Sequence, residues 1–229
     1  MSAIDALVHC LRPAREAAEG ALVLLHGRGA SELDLLPVFD KLDPEGRLYG
    51  AAPRAPLTLP PGGFHWYVVR RVGFPDPETF WSSYRLLEGW LEALPEVTGV
   101  PLERTVLGGF SMGAVMSYAL GLGAGRPAPA GVLALSGFIP TVEGFEPALE
   151  ARAGLRVATA HGTHDPVISV DFARAARRRL EAAGVDLLYR EFSGGHSIDP
   201  TLLRTLGDWL SETVSAGSRR RGGQPRRTG

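Results

Sequence analysis

The sequence predicts an α/β fold with a mostly parallel central sheet, helices on both of its faces and no large cap domain. Short apolar runs of strand length alternate with longer segments of helical periodicity along most of the chain. With 229 residues, of which 45% are hydrophobic, the chain is long enough to bury one sizeable core. We therefore predict a single domain over residues 1–217, followed by a basic disordered tail over residues 218–229.

The strands are predicted where apolar and β-branched residues form short uninterrupted runs bounded by polar residues or glycine. An unbroken apolar run such as residues 21–25 is typical of a parallel strand that is buried on both faces. The predicted strands, in chain order, are residues 4–11, 21–25, 47–51, 104–107, 131–135, 156–160 and 186–192.

The clearest predicted helix covers residues 78–94, where apolar side chains recur at spacings of three and four. Further helices are predicted at residues 114–120, at about 170–183 and from near Pro200. Ser31 and Asp34 resemble a capping box that would open one more helix. The alternation of strands and helices favours one doubly wound sheet over two domains.

The motif Gly109-Phe110-Ser111-Met112-Gly113 lies between a predicted strand and a predicted helix. A serine on such a sharp turn has a strained backbone, and side chains two residues away on either side would collide with neighbouring strands. The pattern is that of a nucleophile elbow, which presents a serine hydroxyl at the end of a strand. Because 29 of the 229 residues are glycine, the motif can also arise by chance, so it needs a base, an acid and an oxyanion hole.

The candidate base and acid follow from chain order, since an elbow serine is followed first by an acid and then by a histidine. Among the downstream acids, Asp165 alone lies in a strand-to-helix loop directly after a buried-looking strand, whereas Asp171 suits a first helical turn and Asp186 and Glu191 flank a strand. His196 is the only histidine after Asp165, and it lies in a glycine-rich loop after the last predicted strand. A solvated loop histidine is the alternative interpretation of His196.

His161, His164 and Asp165 also raise the alternative of a metal site. Such a site needs a third or fourth converging ligand, and the sequence has no further histidine or cysteine cluster to supply one. We therefore predict no metal.

The turn after residues 21–25, His26-Gly27-Arg28-Gly29, is the candidate oxyanion loop. An oxyanion hole of this kind combines the backbone N–H of the residue after the nucleophile with one from an upstream strand-to-helix loop. These donors would be Met112 and Arg28. An ordinary glycine-rich turn is the alternative interpretation of this segment.

Together, these motifs resemble the phospholipase/carboxylesterase family, which includes bacterial relatives of acyl-protein thioesterases. The resemblance covers roughly residues 21–210 and also includes Trp66-Tyr67 and Leu135-Ser136-Gly137. It implies a compact α/β-hydrolase without metal or cofactor that acts on carboxylic esters, with Ser111, Asp165 and His196 as its triad. The sequence departs from the family where Met112 replaces a frequent glutamine and where Val68 replaces a frequent aspartate.

The expected substrate is a small ester with a short to medium acyl group, because a short groove without a lid would fill early, and thioesters or lysophospholipids are further candidate substrates. Trp66, Phe138 and Val167 are the predicted substrate contacts because they belong to an apolar set in loops near Ser111, although plain core packing explains such residues equally well. A ligand-binding protein of the same fold without catalysis is the rival hypothesis, and it is disfavoured because every triad position is filled.

Composition limits the other partners. Cys10 is the only cysteine, and no apolar run reaches membrane length, so we expect a cytoplasmic protein without disulfides or stable membrane insertion. The formal net charge of −1 gives no reason to expect nucleic acid as a partner. Five arginines and no acid lie in residues 218–229, which is why this segment is predicted to be a disordered tail. The sequence leaves open whether the protein forms a homodimer.

Overall fold

The chain folds around one twisted sheet of seven strands, seen in a computed structural model that describes residues 3–222 and, of these, the side chains up to residue 216. The strands of this sheet are β1 His9–Arg12, β2 Gly20–Leu25, β3 Leu48–Pro53, β8 Thr105–Phe110, β9 Gly131–Leu135, β10 Arg156–Gly162 and β11 Asp186–Phe192. Their spatial order is β1-β3-β2-β8-β9-β10-β11, with β1 antiparallel to β3 and all other neighbours parallel.

Two short hairpins lie between β3 and the longest helix. The first pairs β4 Leu57–Thr58 with β5 Phe64–His65, and the second pairs β6 Val69–Arg71 with β7 Phe74–Pro75. The sequence analysis did not predict them, because two- and three-residue strands are too short to show alternation.

Helices cover both faces of the sheet, as predicted. The helices are α1 Leu36–Leu42, α2 Pro77–Thr98, α3 Met112–Leu122, α4 Val170–Ala182 and α5 Leu203–Gly222. The apolar faces of α2, α3 and α4 contribute to one core cluster, while α1 and α5 pack with the opposite face. The predicted α/β fold without a large cap domain is therefore confirmed.

Several predicted boundaries are wrong for identifiable reasons. Residues 4–11 do not form one strand, because Ala3–Ala6 is a short 3₁₀-helix and only His9–Arg12 pairs with β3. Ser31 and Asp34 do form mutual hydrogen bonds, but they close a turn that precedes α1 rather than its first turn. Their side chains stabilise the turn locally, and α1 begins at Leu36.

The predicted start of the tail at residue 218 falls inside α5, whose backbone stays helical to Gly222. Arginine is a good helix former, so the basic run can extend a helix that is already anchored by its apolar face. The remaining residues of the predicted tail, 223–229, lie outside the described residues.

The parallel strands place four loops at the same edge of the sheet. These follow β2, β8, β10 and β11, and in a parallel sheet the carboxyl ends of the strands form the usual ligand-binding crevice. All of the predicted catalytic and oxyanion residues lie on these loops or directly after them.

Candidate active site

Ser111 lies at a sharp turn between β8 and α3, which we call the elbow (residues 109–113). Its backbone has φ 55° and ψ −119°, a conformation that residues other than glycine rarely adopt. Added side chains would not fit on either side: a Cβ at Gly113 would collide with the carbonyl of Leu25, and one at Gly109 would collide with the backbone of Gly113. The packing of α3 against β2 therefore requires Gly113, and the tight turn from β8 into α3 requires Gly109. The backbone of Ser111 has the strain that the motif predicts.

The hydroxyl of Ser111 lies in hydrogen-bonding distance of His196. Ser111 Oγ is 2.8 Å from His196 Nε2, and His196 Nδ1 is 2.7 Å from Asp165 Oδ2. Because a carboxylate only accepts, Nδ1 carries the proton and donates it to Asp165, which leaves Nε2 to accept from the serine hydroxyl. The three residues predicted from chain order thus form one continuous hydrogen-bond network.

The carboxyl of Asp165 is buried and saturated with donors. Its Oδ1 accepts from the backbone N–H groups of Val167 and Ile168, each at 2.8 Å, and its side chain is 0% exposed. Burial by itself would raise the pKa of Asp165, but the hydrogen bonds from His196, Ile168 and Val167 outweigh it and lower the pKa below its ordinary value. The carboxylate is therefore held in its ionised form.

Backbone contacts fix the distance between Asp165 and His196. The loop after β10 (residues 163–169, the acid loop) donates from the N–H of His164 to the carbonyl of Gly194, in the loop after β11. A Cβ at Gly162 would collide with the carbonyls of Gly194 and Gly195. Glycine at position 162 lets the two loops touch, which the sequence motif around Asp165 did not reveal.

His196 itself is partly exposed and packs on one side against an aromatic ring. The ring centroids of Phe110 and His196 are 4.9 Å apart, and the His196 side chain is 17% exposed. Its imidazole is thus oriented by Asp165 and Phe110 while its Nε2 edge stays close to Ser111.

The oxyanion loop (residues 26–30) runs beside the elbow. A Cβ at Gly27 would lie 3.4 Å from Ser111 Cβ, so the two backbones are in close approach. Within the described part of the chain, the N–H groups of Arg28 and Met112 donate no hydrogen bond, whereas the next N–H, of Gly29, is bonded to Phe64. Both predicted oxyanion donors are therefore unused by the fold.

His26 fixes the orientation of the peptide that carries the Arg28 N–H. Its Nδ1 lies 2.7 Å from the carbonyl oxygen of Gly27, and its Nε2 accepts from the N–H of Ala55 at 3.0 Å. The carbonyl of Gly27 and the N–H of Arg28 belong to one planar peptide unit and point in opposite directions. Burial lowers the pKa of His26, which favours the neutral ring that this bonding pattern needs. The sequence analysis missed this role, although His26 opens the predicted loop.

Trp66, which the sequence predicted as a substrate contact, is fully buried and lines no open space in the structure. It is 0% exposed, its Nε1 donates to the carbonyl of His26 at 2.9 Å, and its backbone N–H lies 3.2 Å from Met112 Sδ. Trp66 therefore connects two segments: its indole contacts the oxyanion loop at His26, and its backbone N–H contacts the elbow at Met112. Trp66 supports the two oxyanion residues rather than a substrate.

The other two predicted contacts differ in exposure. Phe138 is nearly buried and packs against Phe172 with ring centroids 5.2 Å apart, while Val167 is 50% exposed next to Asp165. Phe138 follows Gly137, where an added Cβ would lie 3.3 Å from the carbonyl oxygen of Ser111. Phe138 therefore lies next to the elbow, and Val167 lies next to the candidate acid.

No metal site is formed by His161, His164 and Asp165. Of the residues that the structure describes, no three His, Cys, Asp or Glu side chains converge on a position that could hold a metal ion. His164 is exposed and contacts Thr163, whereas His161 is buried and faces Asp165.

Across residues 3–222, none of the helices combines the length and the apolar character that crossing a membrane requires.

Comparison with known proteins agrees with this geometry. The chain is 29% identical over 217 residues to acyl-protein thioesterase 1 of Candida albicans, covering 86% of this chain and 93% of the relative. Its fold is similar to that of esterase PE8, with a TM-score of 0.78 and 28% identity over 90% of this chain and 99% of the other. A carboxylesterase from Mesorhizobium loti shares the fold with a TM-score of 0.79 and 21% identity, over 90% of this chain and 95% of the other.

The sequence model of one family covers nearly all of the domain that contains the site. It matches residues 9–214, from the first strand of the sheet into the last helix. The chain belongs to the Phospholipase/Carboxylesterase family and is a hydrolase of the α/β-hydrolase fold.

Proposed function

We propose that this protein hydrolyses carboxylic esters of short to medium acyl chains through a covalent acyl-enzyme on Ser111. The observation that carries the proposal is the hydrogen-bond network from Ser111 through His196 to Asp165, with distances of 2.8 Å and 2.7 Å. A buried, ionised acid, a base with a free Nε2 lone pair and a serine on a strained turn are the components of nucleophilic acyl transfer.

In the first half of the reaction, Ser111 Oγ attacks the acyl carbon while its proton passes to His196 Nε2. The ester carbonyl oxygen becomes an oxyanion, which the backbone N–H groups of Arg28 and Met112 stabilise. Asp165 stabilises the imidazolium and keeps its Nδ1 proton directed at Oδ2. His196 then returns the proton to the leaving alcohol, and the acyl group stays on Ser111.

In the second half, water attacks the acyl carbon and His196 accepts its proton. The bond between the acyl carbon and Ser111 Oγ then breaks, His196 donates the proton to Oγ, and the carboxylic acid leaves. The same oxyanion forms from a thioester, so thioesters are substrates of the same site. The name of the Candida albicans relative, an acyl-protein thioesterase, supports this extension.

We place the acyl chain against the exposed side chain of Val167, beside Asp165. Val167 is half exposed, whereas Phe138, which follows the glycine next to the elbow, is buried against Phe172. An exposed apolar surface binds the first carbons of an acyl chain by burial but offers no enclosure for a long one. This is the reason for proposing short to medium acyl chains.

Pre-steady-state hydrolysis of a short p-nitrophenyl ester tests the proposal. The wild-type protein should release up to one equivalent of p-nitrophenol per active site in a burst whenever deacylation is slower than acylation. Ser111→Ala should lose turnover, and Ser117→Ala is the matched control, because Ser117 is a buried serine of α3 whose hydroxyl donates to the carbonyl of Gly113. Turnover that survives in Ser111→Ala would contradict the proposal, and ester binding without turnover in the wild type would indicate a ligand-binding protein.

A further inference from the structure

His161 is a second buried histidine beside the candidate acid. It lies at the end of β10, is 0% exposed, and its Nε2 lies 2.8 Å from the carbonyl oxygen of Ile168 and 3.3 Å from Asp165 Oδ2. The oxygen that faces His161 is the same one that accepts from His196. Asp165 Oδ2 thus lies between two imidazoles, only one of which contacts Ser111.

The partners of His161 define its tautomer. A carbonyl oxygen only accepts, so Nε2 carries the proton and donates it to Ile168. Nδ1 then holds the lone pair, and it is buried without a hydrogen-bond partner among the residues that the structure describes. A protonated ring would bury an N–H there without an acceptor, and burial lowers the pKa of His161. His161 is therefore a neutral donor.

Ile168 couples this donor to the acid. Its carbonyl accepts from His161, while its N–H donates to Asp165 Oδ1 at 2.8 Å. The side chain of His161 thus spans the base of the acid loop, from the last residues of β10 to the residue that orients the carboxylate.

We propose that His161 is a positioning residue, whose Nε2–H closes the acid loop and keeps Asp165 Oδ2 directed at His196. The inference rests on the proposed function, because it gives His161 a role in the same site. Without the imidazole, the Ile168 carbonyl loses its donor, the Ile168 N–H is free to shift, and the carboxylate can rotate away from His196.

Few other charged groups lie near His161 that could keep Asp165 Oδ2 directed at His196. On β11, Glu191 is its register partner, and Arg174 of α4 and Tyr189 both bind that carboxylate. On the β9 side, the neighbouring backbone contact is between the Ser136 N–H and the Ala160 carbonyl, without a charge. Apart from Asp165 and His196, Glu191 is thus the charged group to consider, and it is already paired.

The test compares His161→Met, which removes the donor, with His161→Gln, whose amide reaches as far as Nε2. Thr159→Val is the control, because Thr159 lies on the same face of β10, is buried and bonds to Tyr118 instead of Asp165. The measurements are kcat, KM and the pH dependence of kcat/KM on a short p-nitrophenyl ester, after folding is verified by circular dichroism.

We expect His161→Met to lower kcat about tenfold to a hundredfold, as other residues that orient a catalytic ligand do, with little change in KM. The acid limb of its pH profile should move to lower pH, because a displaced carboxylate stabilises the His196 imidazolium less. His161→Gln should recover most of kcat and the acid limb, and Thr159→Val should keep both. A purely structural role would lower stability in the variants without moving the acid limb.

A folded His161→Met protein with wild-type kcat and acid limb would overturn the proposal, and so would a Gln variant no better than the Met variant. If His161→Met does not fold, His161→Asn replaces it, because its amide is too short to reach Ile168. Equal kcat/KM and equal acid limbs in the Asn and Gln variants would then overturn it. The proposed function is tested separately, by the loss of turnover in Ser111→Ala. The results for the His161 variants therefore count for or against the role of His161 alone.

Discussion

At the scale of single residues, the site depends on backbone donors as much as on side chains. The side chain of Arg28 is exposed and forms no hydrogen bond or ion pair within the described part of the chain, while its N–H is adjacent to the elbow and unused. Position 28 can therefore change its side chain without loss of the proposed oxyanion donor.

Substitutions at position 28 should separate the backbone from the side chain. Arg28→Leu should keep most of the turnover of a neutral ester, whereas Arg28→Pro, which lacks the N–H, should lower kcat roughly a hundredfold or more. The measurement is kcat for a neutral p-nitrophenyl ester, with circular dichroism as the control for loop distortion. Equal large losses in both variants would assign the chemistry to the guanidinium instead.

Asp165 should make stability depend on pH in a defined direction. Its pKa is lowered in the folded protein, so its ionised form contributes stability that is fully present above the ordinary aspartate pKa of about 3.9. This contribution should be lost as the pH falls through the lowered pKa of the folded state. In denaturant unfolding, the stability difference between wild type and Asp165→Asn should therefore stay constant near neutrality and shrink in acid.

Asp171→Asn is the control for this experiment, since Asp171 is an exposed carboxylate at the start of α4. A difference between wild type and Asp165→Asn that grows on acidification would show that the folded pKa of Asp165 is raised rather than lowered.

At the scale of elements, the elbow is held by the close contact between α3 and the end of β2. Gly113→Ala should cost more than about 3 kcal/mol in the free energy of unfolding, because its Cβ would collide with backbone that cannot move. Gly89→Ala is the matched control: a Cβ there would meet nothing within 4 Å in the middle of α2. That change should stabilise the protein by about 0.5–1 kcal/mol. Denaturant unfolding measures both, and a Gly113→Ala protein as stable as wild type would refute the steric account of the elbow.

Elements with strong periodicity could be predicted from the sequence, and those set by tertiary contacts could not. The predicted strands at residues 131–135 and 186–192 match β9 and β11, since their apolar runs end at turn residues. The two hairpins before α2 escaped prediction because their strands are too short to show a period. The 3₁₀-helix at Ala3–Ala6 was not predicted, because its apolar residues also suit a strand.

The same contrast applies to the site. Chain order and loop position were enough to predict that Ser111, Asp165 and His196 come together, which the distances in the structure bear out. The supporting roles of Trp66, His26 and His161 depend on side-chain contacts between segments distant in sequence or on the direction of one peptide group. No local pattern encodes such contacts, and Trp66 was for that reason assigned to the substrate.

At the scale of the whole molecule, residues 3–222 contain no large cap domain, so we expect the proposed acyl site to be open to solvent. For esters of increasing acyl length, kcat/KM should rise about threefold to fourfold per carbon, since each buried methylene contributes about 0.8 kcal/mol, and then level off at a short to medium length. A series of p-nitrophenyl esters with matched thioesters measures this rise. A maximum at the longest chains, or activation by emulsified lipid, would point to an enclosed site.

The central claim is that Ser111 is the nucleophile of a working triad, and labelling by a fluorophosphonate tests it most directly. Such a probe reacts with a serine that an adjacent base activates, and it requires no knowledge of the natural substrate. The account predicts one adduct per chain, located at Ser111 by peptide mass spectrometry, retained in Ser117→Ala and lost in Ser111→Ala. An adduct at another serine, or none on the folded wild-type protein, would contradict it.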